Sequence, residues 1–231
     1  MEKKSEKNKP SFKEKIRDYA VLKGHYLHPT KEDHLREIDL LVNQAVKRNG
    51  MFHKSKFVGR SYFIFKDHDL DLKVGIKLVG RGDNDFRTDT YVKIKFNLTS
   101  KFRLSVYIKD ASFFLTGDIT NYPNFRVTQS LLGLKNFETL NNDFNEKFIV
   151  KTNDEAIAVN ILKYDIQNLL LDLESEYFYP VVNITNKEFL LVAHNRLNDE
   201  KEYDALIDTA LLFLNRLKGL GLIDLVSKVE K

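Results

Sequence analysis

The sequence of 231 residues contains no cysteine, no long apolar run and no familiar catalytic motif. Without cysteine, the chain cannot form disulfides, thiolate zinc sites or cysteine nucleophiles. Its apolar runs are far too short to span a bilayer, and the charged start MEKKSEKNKPSFKEK lacks the apolar region of a secretory signal. Because 42% of the residues are hydrophobic, a packed core is still possible, so we expect a soluble, cytoplasmic protein.

Motifs that bind nucleotides or activate a serine are also missing. The chain contains no G-x-x-x-x-G-K-[ST], no G-x-G-x-x-G and no G-x-S-x-G. The histidines lack the H-x-x-x-H and H-E-x-x-H spacings of helical metal sites, so we interpret His25, His28 and His34 as surface residues. We therefore expect no cofactor, no metal and no catalytic residue of a recognised type, and an enzyme of unfamiliar type stays open.

Two acidic patterns have structural explanations. The segment 67–71, Asp-His-Asp-Leu-Asp, is similar to the start of a calcium loop. It lacks the glycine and the terminal glutamate of such a loop, so a charged hairpin turn is predicted instead. Asp204 and Asp208 are four residues apart, and this spacing on a helix is typical of a solvated polar face rather than of a catalytic carboxylate pair.

Charge is divided unevenly along the chain, although the formal net charge is only +4. Residues 1–110 carry 25 Lys/Arg against 15 Asp/Glu, whereas residues 111–231 carry 12 against 18. A basic first half indicates a nucleic-acid or membrane partner, whereas an acidic second half could neutralise the first half within the molecule.

The first fifty residues predict a disordered basic arm followed by two helices. Residues 1–11 carry six charges and almost no apolar side chain, which is typical of disorder. From Phe12 to Gly24 apolar residues recur at helical spacing and predict a short helix. A second helix is predicted from an N-cap at Thr30 to the Asn49–Gly50 pair, with this buried stripe: Leu35, Ile38, Leu41, Val42, Ala45 and Val46.

The next segment alternates apolar and polar residues with a period of two. This pattern predicts half-buried antiparallel strands over residues 61–66, 72–78, 92–98 and 102–108, with residues 51–58 as a further candidate. Pairing Leu98 with Phe102 makes one face of the last two strands continuously apolar. Pairing Leu78 with Val92 does the same for the strands before them, and leaves residues 79–91 as a long polar loop.

The C-terminal part predicts a β-α-β-β-α unit. A strand over 147–151 leads through the capping-box spacing Thr152-x-x-Glu155 into a helix that ends near Glu176. A hairpin follows over residues 181–185 and 189–193, and Asp199-x-x-Glu202 opens a last helix that ends at Gly219. Residues 111–145 have no clear period and are predicted as loop with short strands.

Grouped strands and separate helices predict an α+β fold rather than a doubly wound parallel sheet. We expect N-terminal helices, an antiparallel β-meander and the β-α-β-β-α unit, with helices packed on the apolar face of the sheet. The predicted organisation is a disordered basic arm (1–11), helices plus meander (12–145) and the β-α-β-β-α unit (146–231). The last two are expected to pack together as one globular body.

The polar face of the meander is the candidate site for an anion or a nucleic acid. It collects basic residues with Tyr62 and Tyr91 interleaved, and Asp71 is its sole acid at a strand position. In the predicted register Lys77 lies opposite Lys93, a mildly destabilising like-charge pair that favours an anion nearby. The candidate residues are Lys73, Lys77, Lys93, Lys95, Arg103, Tyr107 and Lys109.

Three kinds of neighbour could supply that anion. A single-stranded nucleic acid could stack bases on the tyrosines and place phosphates on the lysines. A carboxylate from residues 146–231 could instead neutralise the face from within, or the lysines could simply be solvated, as is ordinary on exposed strands.

The sequence from Asp143 to Ala156, DFNEKFIVKTNDEA, resembles conserved prokaryotic proteins of unknown function in which an F-x-x-x-F-x-V strand leads into a helix. The segment Gly59-Arg60-Ser61-Tyr62, followed by alternating strands, is similar as well, and the resemblance covers about residues 35–218. Members of this group are often membrane-associated and carry transmembrane helices, which this chain lacks. The resemblance implies no activity and no functional residue.

We therefore expect a non-catalytic binding or assembly module that acts on a protein partner or by self-association. The first alternative is single-stranded nucleic-acid binding through the Lys/Tyr strand face. The second is peripheral attachment to an anionic membrane through the N-terminal arm, residues 3–15, where each basic residue contributes about 1 kcal/mol.

Overall fold

The computed structural model describes residues 31–55, 60–80, 86–109, 133–176, 179–193 and 197–224. The described helices are α1 (Lys31–Lys47), α2 (Asn142–Lys147), α3 (Glu155–Ile161), α4 (Tyr164–Glu176) and α5 (Glu200–Gly219). The described strands are β1 (Met51–His53), β2 (Tyr62–Asp67), β3 (Leu70–Gly80), β4 (Phe86–Lys95), β5 (Asn97–Leu98), β6 (Leu104–Ile108), β7 (Lys135–Phe137), β8 (Phe148–Thr152), β9 (Pro180–Ile184), β10 (Glu188–Ala193) and β11 (Ile223–Asp224).

The protein has an α+β fold, as predicted, and its described strands include a nine-stranded antiparallel sheet. The strand order is β1-β2-β3-β4-β10-β9-β6-β8-β7, and β5 pairs separately with β11. The predicted pairing of Leu98 with Phe102 is wrong, because the β9–β10 hairpin separates β4 from β6. Consecutive apolar residues give β9 and β10 two apolar faces, and such strands are stable in the middle of a sheet where both faces are buried.

The hairpin of β3 and β4 has a different register from the predicted one. Val74 lies opposite Val92, and Leu78 lies opposite Thr88 rather than Val92. Strand β3 continues to Gly80 and β4 begins at Phe86, so both strands extend into the predicted loop 79–91. The observed pairing is shifted by four residues from the predicted one. Because four is an even number, every side chain keeps its predicted face of the sheet.

The five helices of the described residues cover one face of the sheet and form the main core with it. Helix α1 packs on β1 and β2, α4 on β9, and α5 on β4 and β10. Each described helix contributes buried side chains to this core, among them Leu41, Phe144, Ile161, Ile166 and Phe213. The predicted packing of helices on the apolar face is therefore confirmed.

The start of α5 agrees closely with its predicted capping box. The Asp199 carboxylate accepts a hydrogen bond from the Glu202 backbone N–H at 2.9 Å, and the Glu202 carboxylate accepts one from the backbone N–H of Asn198. Two of the donors that have no partner inside a helix are thereby satisfied. Burial raises the pKa of Glu202 above its usual value, although the Asn198 hydrogen bond opposes this rise.

Helix α1 exists where it is predicted but buries a different stripe. Leu41 and Ala45 are buried, whereas Val46 is exposed. In place of Val46 the helix buries Gln44, whose side-chain amide donates to the Asp204 carboxylate of α5 at 3.3 Å. The helix ends as predicted, with Asn49 at a φ of 52°.

The single helix predicted between residues 155 and 176 is two helices. Asp154, rather than Thr152, caps α3, and its carboxylate accepts from the Ile157 N–H at 3.0 Å. The chain leaves helical geometry at Leu162, whose carbonyl accepts a hydrogen bond from the Gln167 side chain. Helix α3 buries Ala158 and Ile161, so Val159 of the predicted buried stripe is exposed.

The central strands are also buried on the face opposite the helices. Tyr107, Val181, Leu190 and Val192 form a second apolar cluster there, to which none of the described helices contributes. The predicted disordered arm, the predicted helix from Phe12 and most of the predicted loop 111–145 lie outside the described residues. The domain boundaries at residues 12 and 146 stay predictions.

Candidate anion-binding site

Three of the predicted basic residues lie together on the face opposite the helices. Lys73 of β3 and Lys93 of β4 are direct cross-strand neighbours, and Lys95 follows Lys93 on the same face of β4. We call these three residues the lysine cluster. The like-charge pair predicted from the sequence therefore exists, but it joins Lys73 to Lys93 rather than Lys77 to Lys93.

Aromatic side chains hold the base of the lysine cluster. The Lys73 ammonium lies 3.6 Å from the centre of the Tyr62 ring, close enough for a cation–π interaction. His53 stacks on Tyr62 with ring centres 4.7 Å apart. Because β1 and β3 lie on opposite sides of β2, both faces of the Tyr62 ring are in contact with other side chains.

Gly75 makes room for the rings beside the cluster. It lies between Tyr62 and Tyr91 in the sheet, and a Cβ atom there would come within 2.8 Å of the Tyr91 hydroxyl and of the Tyr62 Cβ. The Tyr91 ring can therefore lie across β3 at this residue. Burial, and then the nearby Tyr62, raise the pKa of Tyr91 to about 12, so Tyr91 keeps its proton at neutral pH.

The lysine cluster has more positive charge than its neighbours neutralise. Burial lowers the pKa of Lys73, and the positive charges of Lys93 and Lys95 lower it further. In the described part of the chain, Glu188 of β10 is the one carboxylate within ion-pair distance of the cluster, with its Oε2 2.6 Å from Lys93 Nζ. An added anion would relieve the remaining repulsion.

The fourth predicted lysine lies apart from this repulsion. Lys77 is the direct cross-strand neighbour of Asp89, a fully buried residue of β4. Burial lowers the pKa of Lys77, and the Asp89 carboxylate opposes that effect. The acid beside Lys77 is therefore Asp89, which belongs, like Lys77, to residues 1–110.

The remaining predicted residues do not join the cluster. Arg103, Tyr107 and Lys109 belong to β6 and its ends, and β10 and β9 lie between β6 and β4. Across the sheet, β6 therefore lies about 14 Å from β4, which is three interstrand spacings of about 4.8 Å. Tyr107 is buried in the second apolar cluster, and Lys109 is exposed.

Sequence reasoning missed two members of the site, Glu188 and His53. The alternation in β10 could have assigned Glu188 to the same face as Leu190 and Val192. Nothing local in the sequence indicates that β10 pairs with β4, about a hundred residues earlier, and this pairing brings Glu188 to Lys93. His53 lies in the segment that was a further strand candidate, and β1 confirms that candidate.

The other sequence candidates have structural partners. His68 and Asp69 form the predicted hairpin turn, with His68 at a φ of 54°, and Lys218 Nζ lies 3.1 Å from the carboxylate of Asp67 at the end of β2. His34 lies 3.6 Å from the Glu37 carboxylate, whereas His25 and His28 are outside the described residues. Within the described ranges, no group of three or more His, Asp or Glu side chains is arranged to hold a metal ion.

Comparison with protein-family models gives no match, and comparison with curated proteins gives none. A solved structure, the mycobacterial trehalose monomycolate transport factor A, is similar with a TM-score of 0.50 and 7% sequence identity. The similarity covers 79% of this chain and 94% of that chain. At this identity the likeness shows the fold alone. Across the described residues, no helix has the length and hydrophobicity to cross a membrane.

Proposed function

We propose that this chain is a non-catalytic binding module whose lysine cluster receives a phosphate-bearing lipid headgroup at a membrane surface. One cross-strand row carries this proposal: Met51, Ile64, Lys73 and Lys93 follow one another across β1, β2, β3 and β4. Met51 is exposed and Ile64 is half-buried. Apolar side chains beside ammonium groups are what an interfacial surface needs, because the first contact acyl chains and the second contact phosphate.

The tyrosines favour a lipid headgroup over single-stranded nucleic acid. Base stacking needs an aromatic ring with an accessible face. Both faces of Tyr62 are already in contact with His53 and Lys73, Tyr91 packs across Gly75, and Tyr107 is buried. A lysine ammonium acts as a compact point charge, and with no ring face open for base stacking the cluster suits a phosphate group alone.

Two likenesses are consistent with this proposal. The structurally similar protein is a mycobacterial transport factor for trehalose monomycolate. The sequence resemblance to prokaryotic proteins that are often membrane-associated points in the same direction. Neither likeness names a ligand for this chain, so the proposal depends on the row of residues across β1 to β4.

Vesicle co-sedimentation of the full chain tests the proposal. We expect binding to phosphatidylglycerol-containing vesicles but not to pure phosphatidylcholine vesicles, with binding that falls as salt rises. Replacing Lys73, Lys93 and Lys95 with Gln should weaken binding by up to about 100-fold, because each basic residue contributes about 1 kcal/mol near an anionic surface. The matched control replaces three exposed lysines elsewhere, Lys101, Lys135 and Lys201, with Gln.

Three results would overturn the proposal. The first is an equal loss of vesicle binding in the control variant. The second is loss of binding when residues 1–11 are removed but not when the lysine cluster is replaced, since this would assign the membrane contact to the arm. The third is cluster-dependent binding of a single-stranded oligonucleotide without binding of anionic vesicles.

A further inference from the structure

A surface groove of about 900 Å³ lies at the other end of the sheet from the lysine cluster. One wall is the segment 137–143, which joins β7 to α2, and the other wall is 159–167, where α3 meets α4. Three large apolar side chains are exposed along it: Leu140 at 104%, Tyr164 at 68% and Val159 at 53%. We call this feature the Leu140 groove.

Leu140 is held outward by a hydrogen-bonded segment rather than by a loose loop. On one side of it the Thr139 N–H donates to the Asn145 side-chain oxygen at 2.9 Å, and the Asn145 amide donates back to the Thr139 carbonyl at 2.6 Å. On the other side, the Asn141 side chain caps α2 through the Phe144 N–H at 3.2 Å. A fully exposed leucine on an ordered segment, next to other exposed apolar side chains, is typical of an interaction surface.

We propose that the Leu140 groove is a two-fold interface between two copies of this chain, in which Leu140 of each copy packs between Val159 and Tyr164 of the other. A two-fold interface uses one patch on both copies, so the patch must contain both the projecting group and the site that receives it. The Leu140 groove contains both, one on each wall. Leu162, which is buried, lies in the same lining and closes it from within.

The charges along the two walls have the distribution that such a pairing needs. The charged residues that line the groove are Glu138 and Asp143 on the 137–143 wall and Lys163 on the 159–167 wall, and all three side chains are exposed. Asp165 of the second segment is not in the lining and pairs with Arg216. A two-fold axis that places the first wall of one copy against the second wall of the other sets Lys163 beside two acids, twice in each dimer.

The proposal is independent of the lipid-headgroup proposal. The lysine cluster is on β3 and β4, whereas the Leu140 groove begins at the end of β7. Strands β4 and β7 are separated by about 24 Å, five interstrand spacings of about 4.8 Å. Vesicle binding could therefore fail while association through the Leu140 groove holds, and the reverse is equally possible.

Sedimentation equilibrium of the full chain over a range of concentrations is the first test. We expect a reversible monomer–dimer equilibrium that Leu140→Asp weakens at least about tenfold, because a buried anchor residue carries much of the energy of a small interface. The matched control is Val46→Asp, since Val46 is 73% exposed on α1, away from the groove. A chain that is monomeric up to about 1 mM, or a control that dissociates as readily as Leu140→Asp, would overturn the proposal.

A charge exchange tests the pairing of the two walls directly. Lys163→Glu alone, and Glu138→Lys with Asp143→Lys, should each weaken self-association, because every wall then meets like charge. Mixing the two variants should restore a heterodimer, since both of its contacts again join opposite charges. Circular dichroism would show that each variant is folded. Folded variants whose mixture associates no better than either variant alone would contradict the two-fold arrangement.

Discussion

Two basic regions of this chain meet the acidic C-terminal half in different ways. Where α1 packs against α5, the Arg48 guanidinium donates to Asp204 at 3.0 Å and to Asp208 at 3.2 Å. Lys47 Nζ lies 2.6 Å from the other Asp204 oxygen. Lys47 and Arg48 thus both have a carboxylate, and Asp204 belongs to an ion-pair network, whereas Asp208 joins it through Arg48 and is 67% exposed, as predicted for a solvated face.

The lysine cluster is the contrasting region. In the described part of the chain, Glu188 is the one carboxylate within ion-pair distance of the cluster's three lysines, and burial, followed by the charges of Lys93 and Lys95, lowers the pKa of Lys73. The charge split along the sequence is therefore neutralised at the α1–α5 boundary and only partly neutralised at the cluster. A net charge for each half does not show this difference, because each cation interacts with the acids within a few ångströms of it.

The largest expected effect comes from Gly75→Ala, which disturbs the aromatic support of the lysine cluster. The new Cβ would come within 2.8 Å of the Tyr91 hydroxyl and of the Tyr62 Cβ, so both rings must move. We expect a loss of about 2 kcal/mol in the free energy of unfolding, as in other overpacked cores. Urea unfolding followed by far-UV circular dichroism measures this loss, and it suits a chain without tryptophan.

Gly219→Ala is the matched control. A Cβ at Gly219, the last residue of α5, has no atom within 4 Å in its way. We expect its unfolding free energy to stay within about 0.5 kcal/mol of the parent, as for other surface substitutions. Equal stability losses in the two variants would mean that the Tyr62–Gly75–Tyr91 packing contributes little.

Much of this fold could be predicted from local pattern. Period-two alternation identified β2, β3 and the faces of their side chains, and the spacing of Asp199 and Glu202 identified the start of α5. The neighbours of β4 and β6 could not be predicted in this way. The apolar face of β4 matches that of β6 as well as it matches that of β10, and the choice is made by burial of the β9–β10 hairpin on both faces.

The candidate site was predictable to the same extent. Alternation placed Lys73, Lys93 and Lys95 correctly on one face, because this depends only on the period of a strand. Alternation also extended the site to Arg103 and Tyr107, because it assumed that consecutive strands are neighbours. Glu188 was absent for the same reason, since its contact with Lys93 depends on a long-range pairing.

The stability that Asp204 contributes at the α1–α5 boundary should depend on pH in the acid range. Burial alone would raise the pKa of Asp204, but hydrogen bonds from Lys47, Gln44 and Arg48 outweigh it and hold the pKa below its usual value. In the acid range the unfolded chain then binds more protons than the folded chain. The stabilisation is therefore complete above the usual pKa of an aspartate and is lost as pH falls through that value to the lower folded pKa.

We expect Asp204→Asn to lower the unfolding free energy by about 1 kcal/mol at neutral pH, near the upper end for partly exposed pairs. The difference from the parent should vanish at a pH below the folded pKa of Asp204, where the parent carboxyl is also neutral. Asp208→Asn is the control, because Asp208 is 67% exposed and has a single cation nearby, so its effect should be smaller. A constant difference between Asp204→Asn and the parent at every pH would show that charge is not the cause.

The smallest effect is the most direct comparison of the two regions, because the same substitution should change stability in opposite directions. Lys47→Met removes an ion pair with Asp204 and should cost about 0.5 kcal/mol at neutral pH. Lys73→Met keeps the apolar stem, replaces the cation–π contact with a sulfur–aromatic contact on Tyr62, and removes repulsion from Lys93. We expect it to stabilise the protein by about 0.3 kcal/mol, within the range for cross-strand pairs.

A gain in stability from Lys73→Met could come from removal of the charge or from better packing of the methionine, and alkaline titration separates the two. Because the pKa of Lys73 is lowered on folding, the unfolded chain binds more protons between the folded pKa and the usual lysine value. The parent should therefore gain stability as pH rises through that range, while Lys73→Met should not, so the advantage of the variant should shrink there. An advantage that persists unchanged at high pH would assign it to packing of the methionine rather than to removal of the Lys73 charge.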